Sequence, residues 1–208
     1  MRALRLFGLM VIAALILALP PKRHEARAED GDRASAALLN SFTSATPEWR
    51  VRLVQDETQR ACSEYRSAPP AALAEEIIRR ARASIVYPPD GRLMGDWKKG
   101  EVLAQSGYGG RFTDIPPRAE NGGNCFACHQ LDPRELSFGT LGPNLAGYGK
   151  IRGYSAADAK AVYERIFNPQ AAVACANMPR LGASKFLTIQ QIQDLVAYVM
   201  SPESPVNK

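Results

Sequence analysis

Apolar residues recur every three to four positions along most of this chain, whereas alternation of apolar and polar residues is weak throughout. The three-to-four spacing places apolar side chains on one face of an α-helix, so the sequence predicts an all-α fold. Two regions differ in composition: a helix-rich stretch over residues 41–87 and a glycine-rich stretch from residue 95 onward. The Pro-Pro-Asp-Gly sequence at 88–91 is the predicted joint, because consecutive prolines stop a helix and Asp-Gly favours a turn.

The first region is predicted to form a helical hairpin that packs on the second region. Thr46-Pro47 has the order of a helix cap and a first helical residue. The apolar stripe that follows consists of Val54, Thr58, Ala61 and Tyr65. Cys62 therefore lies on or beside the packed face. A second helix is predicted after residue 70, and its stripe consists of Leu73, Ile77, Ala81 and Ile85.

The second region is predicted to contain three helices, the first over residues 96–105. Ser155 and Thr188 each have the form of an N-cap that opens a further helix, and Asn168-Pro169 ends the first of these two. The buried stripes of the last two helices consist of Val162, Tyr163, Ile166, Ile192, Leu195, Val196 and Val199.

The first 28 residues are typical of an export signal. Arg2 and Arg5 precede an apolar run over residues 6–19, and cleavage is predicted after Ala28. An apolar run of fourteen residues is shorter than the roughly 20 that a helix needs to cross a bilayer. The segment contains no lipobox cysteine. The sequence thus predicts a periplasmic protein without a membrane span after cleavage, and a retained anchor is the alternative.

The charge balance does not favour nucleic acid as a partner. The chain has a formal net charge of +5, but residues 1–28 hold five Lys or Arg and one acidic residue, Glu25. The remainder has 21 basic and 20 acidic residues, a net charge of +1, and no basic stripe interleaved with aromatic residues.

The Cys-Phe-Ala-Cys-His sequence at 125–129 predicts covalent attachment of haem c. Cys125 and Cys128 would form two thioether bonds on one edge of the porphyrin, and His129 would supply an iron ligand. A zinc half-site or a thioredoxin-like dithiol is the alternative. However, the chain has no second C-x-x-C, and its only other histidine, His24, lies in the predicted signal. The motif therefore predicts a c-type cytochrome with one haem c.

Met178 is the predicted second iron ligand, because no second histidine remains after signal removal. Among the other methionines, Met10 lies in the signal and Met94 precedes the glycine-rich stretch that begins at residue 95. Met200 lies near the end of the last helix, where a gap-filling role is expected. Met178 stands in an Asn-Met-Pro sequence, in which proline would fix the backbone. A His/Met pair leaves no open coordination site, which suits electron transfer.

Cys62 and Cys175 remain after haem attachment. An even pair of cysteines in an exported protein predicts a disulfide, which would join the N-terminal hairpin to the loop that carries Met178. An intermolecular bridge to a partner and a role for Cys175 as an iron ligand are the alternatives.

No pair of nucleophile and base is visible in the sequence. With His129 committed to iron, neither Cys/His nor Ser/His/Asp catalysis is available. Four acidic residues show no paired-carboxylate arrangement, and we interpret them as surface residues: Asp132, Glu135, Asp158 and Asp194.

The Gly-Pro-Asn-Leu sequence at 142–145 resembles the G-P-x-L segment of class I cytochromes c. The resemblance implies that the carbonyl of Pro143 accepts a hydrogen bond from His129. A plain Gly-Pro turn is the alternative. Gly100 and Tyr198 resemble the residues at which the terminal helices of that family cross.

Segments 122–130, 139–149 and 177–179 together resemble the X subunit of SoxAX, the cytochrome complex of bacterial thiosulfate oxidation. The resemblance covers roughly residues 95–201 and implies a heterodimer with a SoxA haem subunit. In that family SoxA joins thiosulfate to a cysteine of the SoxYZ carrier, an L-cysteine S-thiosulfotransferase reaction. This chain would accept the electrons, pass them to a small acceptor cytochrome, and contain no catalytic residue.

The predicted organisation is a signal peptide over 1–28, an N-terminal helical extension over 29–92 and a class I cytochrome c haem domain over 93–208. A free periplasmic electron shuttle and the cytochrome subunit of another dehydrogenase are the alternative functions.

Overall fold

The computed structural model describes residues 22–111, 113–114 and 120–208. Its α-helices are α1 (Lys22–Ser41), α2 (Pro47–Arg52), α3 (Glu57–Glu64), α4 (Ala71–Ala83), α5 (Trp97–Gln105), α6 (Tyr148–Ile151), α7 (Ala156–Phe167) and α8 (Ile189–Met200). Short 3-10 helices cover Cys125–Ala127, Pro169–Ala171 and Pro205–Asn207. These residues contain no β-strand, so the prediction of an all-α fold is confirmed.

The chain forms two compact units that divide between Arg60 and Ala61. In the first unit, α2 begins at Pro47 after an extended Thr46, as predicted. The predicted stripe over residues 54–65 does not lie on one continuous helix, because α2 ends before it and α3 begins within it. The break has a local cause: Asp56 and Gln59 exchange two backbone-to-side-chain hydrogen bonds of 2.9 and 2.8 Å, which start α3 afresh.

Most of the predicted signal peptide lies outside the described residues, which begin at Lys22. Helix α1 was not predicted, and it extends across the predicted cleavage site after Ala28. No helix in the described part of the chain is long and apolar enough to cross a membrane.

In the second unit, α4 packs against the 3-10 turn Pro169–Ala171, and its Ile77 and Ala81 are buried. The predicted turn at 88–91 is present, since the amide of Gly91 donates to the carbonyl of Pro88 at 3.0 Å. Residues 61–92 share one compact unit with residues 93–208. The boundary at residue 92 stays a prediction about where the haem domain begins.

Helix α8 is the centre of the hydrophobic core, which it shares with α5 and α7. It begins with a capping box between Thr188 and Gln191, and α7 begins with Ser155 accepting from the amide of Asp158. Both N-caps were predicted. The predicted stripes of these helices are buried: Val162, Tyr163, Ile166, Ile192, Leu195, Val196 and Val199.

Helices α5 and α8 cross at Gly100. A Cβ atom on Gly100 would lie 2.0 Å from the carbonyl oxygen of Asp194 and 2.8 Å from the Cβ of Tyr198, so only glycine permits this approach. The crossing expected from Gly100 and Tyr198 is therefore present.

Asp194 is a correction to the prediction of surface carboxylates, because it is only 3% exposed. Its Oδ1 accepts from the amide of Asp96 at 2.8 Å and from Nε2 of Gln190 at 2.9 Å. These bonds attach the start of α5 to α8, which is why a polar side chain is tolerated inside. The other three carboxylates are partly exposed: Asp132, Glu135 and Asp158.

The C-terminal residues cover the last turn of α8. Nδ2 of Asn207 donates to the carbonyls of Val199 and Ser201 at 3.0 and 2.9 Å, and the hydroxyl of Ser204 donates to the carbonyl of Tyr198. These bonds satisfy carbonyls that a helix end leaves without partners inside the helix.

Candidate haem site

The Cys-Phe-Ala-Cys-His sequence forms one tight turn. Asn124 adopts a left-handed conformation (φ 48°, ψ 41°) and precedes the 3-10 helix Cys125–Ala127. The amides of Cys128 and His129 both donate to the carbonyl of Cys125, at 3.1 and 2.9 Å. Both cysteines and the histidine are therefore held in one short hydrogen-bonded segment.

Cys125 lies in apolar surroundings, packed against the hydrophobic core. Burial raises the pKa of its thiol to about 12. A cysteine that binds metal or reacts as a dithiol does so as a thiolate, which is favoured by a lowered pKa. A thioether sulfur carries no charge, so burial in apolar surroundings does not oppose it. In addition, the described residues contain no group of three or more His, Cys, Asp or Glu suited to a metal ion. The site fits a thioether bond better than a zinc half-site or a redox dithiol.

His129 is oriented by the loop that follows the motif. Its Nδ1 lies 2.7 Å from the carbonyl oxygen of Pro143. Because a carbonyl oxygen can only accept, Nδ1 carries the proton and the lone pair of Nε2 is free for iron. Gly142 leaves room for the ring, since a Cβ atom there would lie 2.2 Å from Cε1 of His129. The structure thus brings together the imidazole and the carbonyl that the class I resemblance pairs.

A ladder of backbone hydrogen bonds joins this loop to the motif. The amides of Gly139, Gly142 and Leu145 donate to the carbonyls of Phe126, Cys128 and Gln130, at 2.8, 2.8 and 2.9 Å. Sequence reasoning missed the ladder, because main-chain bonds do not depend on residue type. One signal was available: a Cβ atom on Gly139 would lie 1.8 Å from the carbonyl of Ala127, so this glycine marks a close approach.

Met178 lies in the loop between Pro169–Ala171 and α8, half-buried against the hydrophobic core. Cys125 and Leu145 border the same core. The structure therefore places the predicted second ligand, the attachment motif and the Gly-Pro-Asn-Leu segment at one apolar cluster. By contrast, Met200 is 1% exposed inside the core, in the gap-filling position expected for it.

Cys62 and Cys175 form a disulfide in the structure, with their Cα atoms 5.6 Å apart and a sequence separation of 113. Cys62 lies in the last turn of α3, and Cys175 lies three residues before Met178. The cross-link thus joins the N-terminal extension to the methionine loop.

The donor set fits haem c. Two half-buried cysteines on one turn can carry thioether bonds, an imidazole presents Nε2, and a thioether sulfur borders the same apolar cluster.

Comparison with known proteins agrees with this geometry. An uncharacterized lipoprotein of Aquifex aeolicus (strain VF5) is 37% identical over 205 residues, which cover 98% of both chains. The cytochrome c family matches residues 119–202, a span that includes His129, Pro143 and Met178. This chain contains a cytochrome c domain. Cytochromes c bind haem covalently and transfer electrons, so this cytochrome is an electron-transfer haem protein with the all-α class I fold that its sequence predicts.

Proposed function

We propose that this cytochrome is SoxX, the monohaem subunit of the SoxAX complex. In that role it accepts electrons while thiosulfate is joined to a cysteine of the SoxYZ carrier. One observation carries the proposal: the three segments that resemble SoxX, 122–130, 139–149 and 177–179, all contribute residues to the border of one core cluster. Each of these segments thus packs against the hydrophobic core.

Each side chain of the site has a role in this proposal. Cys125 and Cys128 would hold one haem c through thioether bonds, and Nε2 of His129 and the sulfur of Met178 would be the iron ligands. Haem c, when bound, supplies one-electron chemistry at its iron. Pro143 fixes the orientation of the imidazole. Because two side chains would bind the iron, the site suits electron transfer rather than binding of oxygen or peroxide.

The thiosulfotransferase step itself is assigned to the partner. Among the described side chains the one histidine is His129, which is committed to the haem site, so no nucleophile and base are paired there. We therefore assign the bond-making step to SoxA, in a heterodimer that meets SoxYZ and a small acceptor cytochrome transiently.

Co-purification tests the assignment to SoxAX. Tagged chain expressed with its native signal in a thiosulfate-oxidising host should retain a second haem protein at a 1:1 ratio through gel filtration. A small class I cytochrome c with the same tag is the control and should retain none. A chain that elutes as a haem-loaded monomer under every condition contradicts the SoxX proposal and leaves the cytochrome assignment intact.

Substitution of Met178 tests the axial ligand. Met178→Ala should abolish the far-red methionine-to-iron charge-transfer band of the ferric protein and lower the reduction potential, because a His/Met pair raises it. Met94→Ala is the matched control, since Met94 is exposed and precedes the matched cytochrome c segment 119–202. An unchanged spectrum of Met178→Ala would show that another group binds the iron.

The Aquifex relative favours a second candidate, an electron carrier attached to the membrane surface, because that protein is named a lipoprotein. In both candidates we place the chain in the periplasm, exported by the segment over residues 1–28. Cell fractionation and N-terminal sequencing distinguish them. A periplasmic chain that begins near residue 29 supports SoxX, and a chain that retains residues 1–28 in the membrane fraction supports the second candidate.

A further inference from the structure

The segment that carries Met178 is attached on both sides of the methionine. In this part of the structure the amides of Asn177 and Met178 donate no backbone hydrogen bond. Four residues after Met178, the amide of Gly182 donates to the carbonyl of Phe167 at 3.1 Å. Three residues before Met178 lies the disulfide at Cys175. The disulfide is therefore a covalent restraint close to the proposed iron ligand.

Noncovalent contacts also join the extension to the base of this loop. Nε of Arg82 donates to the carbonyl of Ala171 at 3.0 Å. Nδ2 of Asn168 donates to the hydroxyl of Ser84 at 3.0 Å. These contacts lie at or before residue 171, and Sγ of Cys62 lies 3.8 Å from the carbonyl oxygen of Ala174. The disulfide attaches Cys175 to the extension, three residues before Met178.

Both cysteines of the disulfide are half-buried rather than enclosed. A disulfide with exposed sulfur surface can be attacked by an external thiolate. The bond is therefore placed where its reduction is feasible while the packing of α4 on the turn Pro169–Ala171 remains.

We propose that the Cys62–Cys175 disulfide is a redox-sensitive restraint on methionine ligation. The inference rests on the proposed assignment of Met178 as an iron ligand. A thiolate of an external dithiol attacks one sulfur, the S–S bond breaks, and a mixed disulfide forms. The second thiol of the reagent then resolves it. The protein gains two electrons and two protons as two thiols, and the dithiol becomes a disulfide.

Reduction removes the covalent attachment three residues before Met178, while the bonds of Gly182 to Phe167 and of Arg82 to Ala171 remain. Methionine ligation then weakens and the reduction potential falls, because the His/Met pair is what raises it. The electron-accepting capacity of the chain would thus depend on the dithiol state of its compartment.

The test uses the purified haem-loaded protein. It is treated anaerobically with dithiothreitol, alkylated with iodoacetamide and reoxidised at the haem with ferricyanide. Mass spectrometry verifies two alkyl groups, on Cys62 and Cys175. We expect the methionine-to-iron band to lose at least half its intensity and the potential to fall, with the protein still folded by circular dichroism.

Two variants control the test. Cys62→Ser/Cys175→Ser should show the weakened band before treatment and no further change after it. Ser84→Ala, which removes a contact at the loop base, should keep the full band until the disulfide is reduced. Complete alkylation with an unchanged band and potential overturns the restraint alone. Absence of the band from untreated protein instead overturns the assignment of Met178, and the restraint with it.

Discussion

The two proposed iron ligands of this cytochrome are held in different ways. His129 belongs to a stretch of contiguous chain, 125–145, whose amides bond back onto the motif and whose Pro143 carbonyl fixes the imidazole. Met178 lies three residues after Cys175. A disulfide joins Cys175 to Cys62, which lies 113 positions earlier in the chain. The histidine side thus depends on local structure, and the methionine side depends on the extension. Changes far from the haem motif should therefore act on one ligand only.

The disulfide is expected to give the largest effect. Cys62→Ser/Cys175→Ser opens a loop of 113 residues, which in the chain-entropy model lowers the free energy of unfolding by up to about 4–5 kcal/mol. Urea unfolding of the haem-loaded variant and wild type measures the difference. A variant as stable as wild type would mean that the extension is held by its noncovalent contacts alone.

Gly142→Ala should displace the ring of His129. Its new Cβ would lie 2.2 Å from Cε1 of His129, and overpacking of this kind costs about 1–3 kcal/mol. We expect roughly a tenfold loss of haem-loaded protein, measured as haem absorbance per mole of polypeptide. Gly110→Ala is the control, because a Cβ there meets only the carbonyl of Gly107, at 3.4 Å. Full haem content in Gly142→Ala would show that the loop can move away from the ring.

Arg82→Ala tests how the base of the loop that carries Met178 is attached to α4. The variant loses the bond to the carbonyl of Ala171, which contributes about 1 kcal/mol. Arg79→Ala on the same helix removes an exposed ion pair with Glu76 and should change stability less. The measurement is thermal unfolding of the two variants side by side. Equal midpoints would show that the bond of Arg82 to Ala171 does not stabilise the protein.

Tyr87 gives the smallest expected effect. Burial and then its hydrogen bond to Glu164 raise the pKa of this phenol to about 12, above its usual value of about 10. As pH rises between these values the unfolded chain loses the proton first, so stability is retained below about pH 10 and falls toward about pH 12. The fall is modest, because Tyr87 is 40% exposed.

The variant Tyr87→Phe isolates this contribution from those of the other tyrosines. Urea unfolding at several pH values should show the two proteins losing stability at different rates above pH 10, with wild type losing more. Parallel curves would show that the phenol of Tyr87 does not carry the effect.

Signals that act over three or four residues predicted the helix boundaries well. The caps at Ser155 and Thr188 and the turn at 88–91 are present, because each depends on neighbours in the chain. The break before α3 was missed, since the capping pair of Asp56 and Gln59 interrupts a stripe that the spacing alone treats as continuous.

Features that depend on distant partners could not be predicted. Asp194 is buried because it accepts from an amide 98 residues away, and Arg82 bonds a carbonyl 89 residues away. The candidate site divides in the same way. Its attachment residues are contiguous and visible as a motif, whereas the fit of Gly142 against the ring of His129 requires the folded loop.

The bonds from Asn207 and Ser204 onto α8 have a practical consequence for anyone purifying this cytochrome. Trimming the final residues would uncover the carbonyls at the end of the helix that crosses α5. An affinity handle therefore belongs beyond Lys208 on a spacer, and shortened versions should be expected to fray from the carboxyl terminus inward.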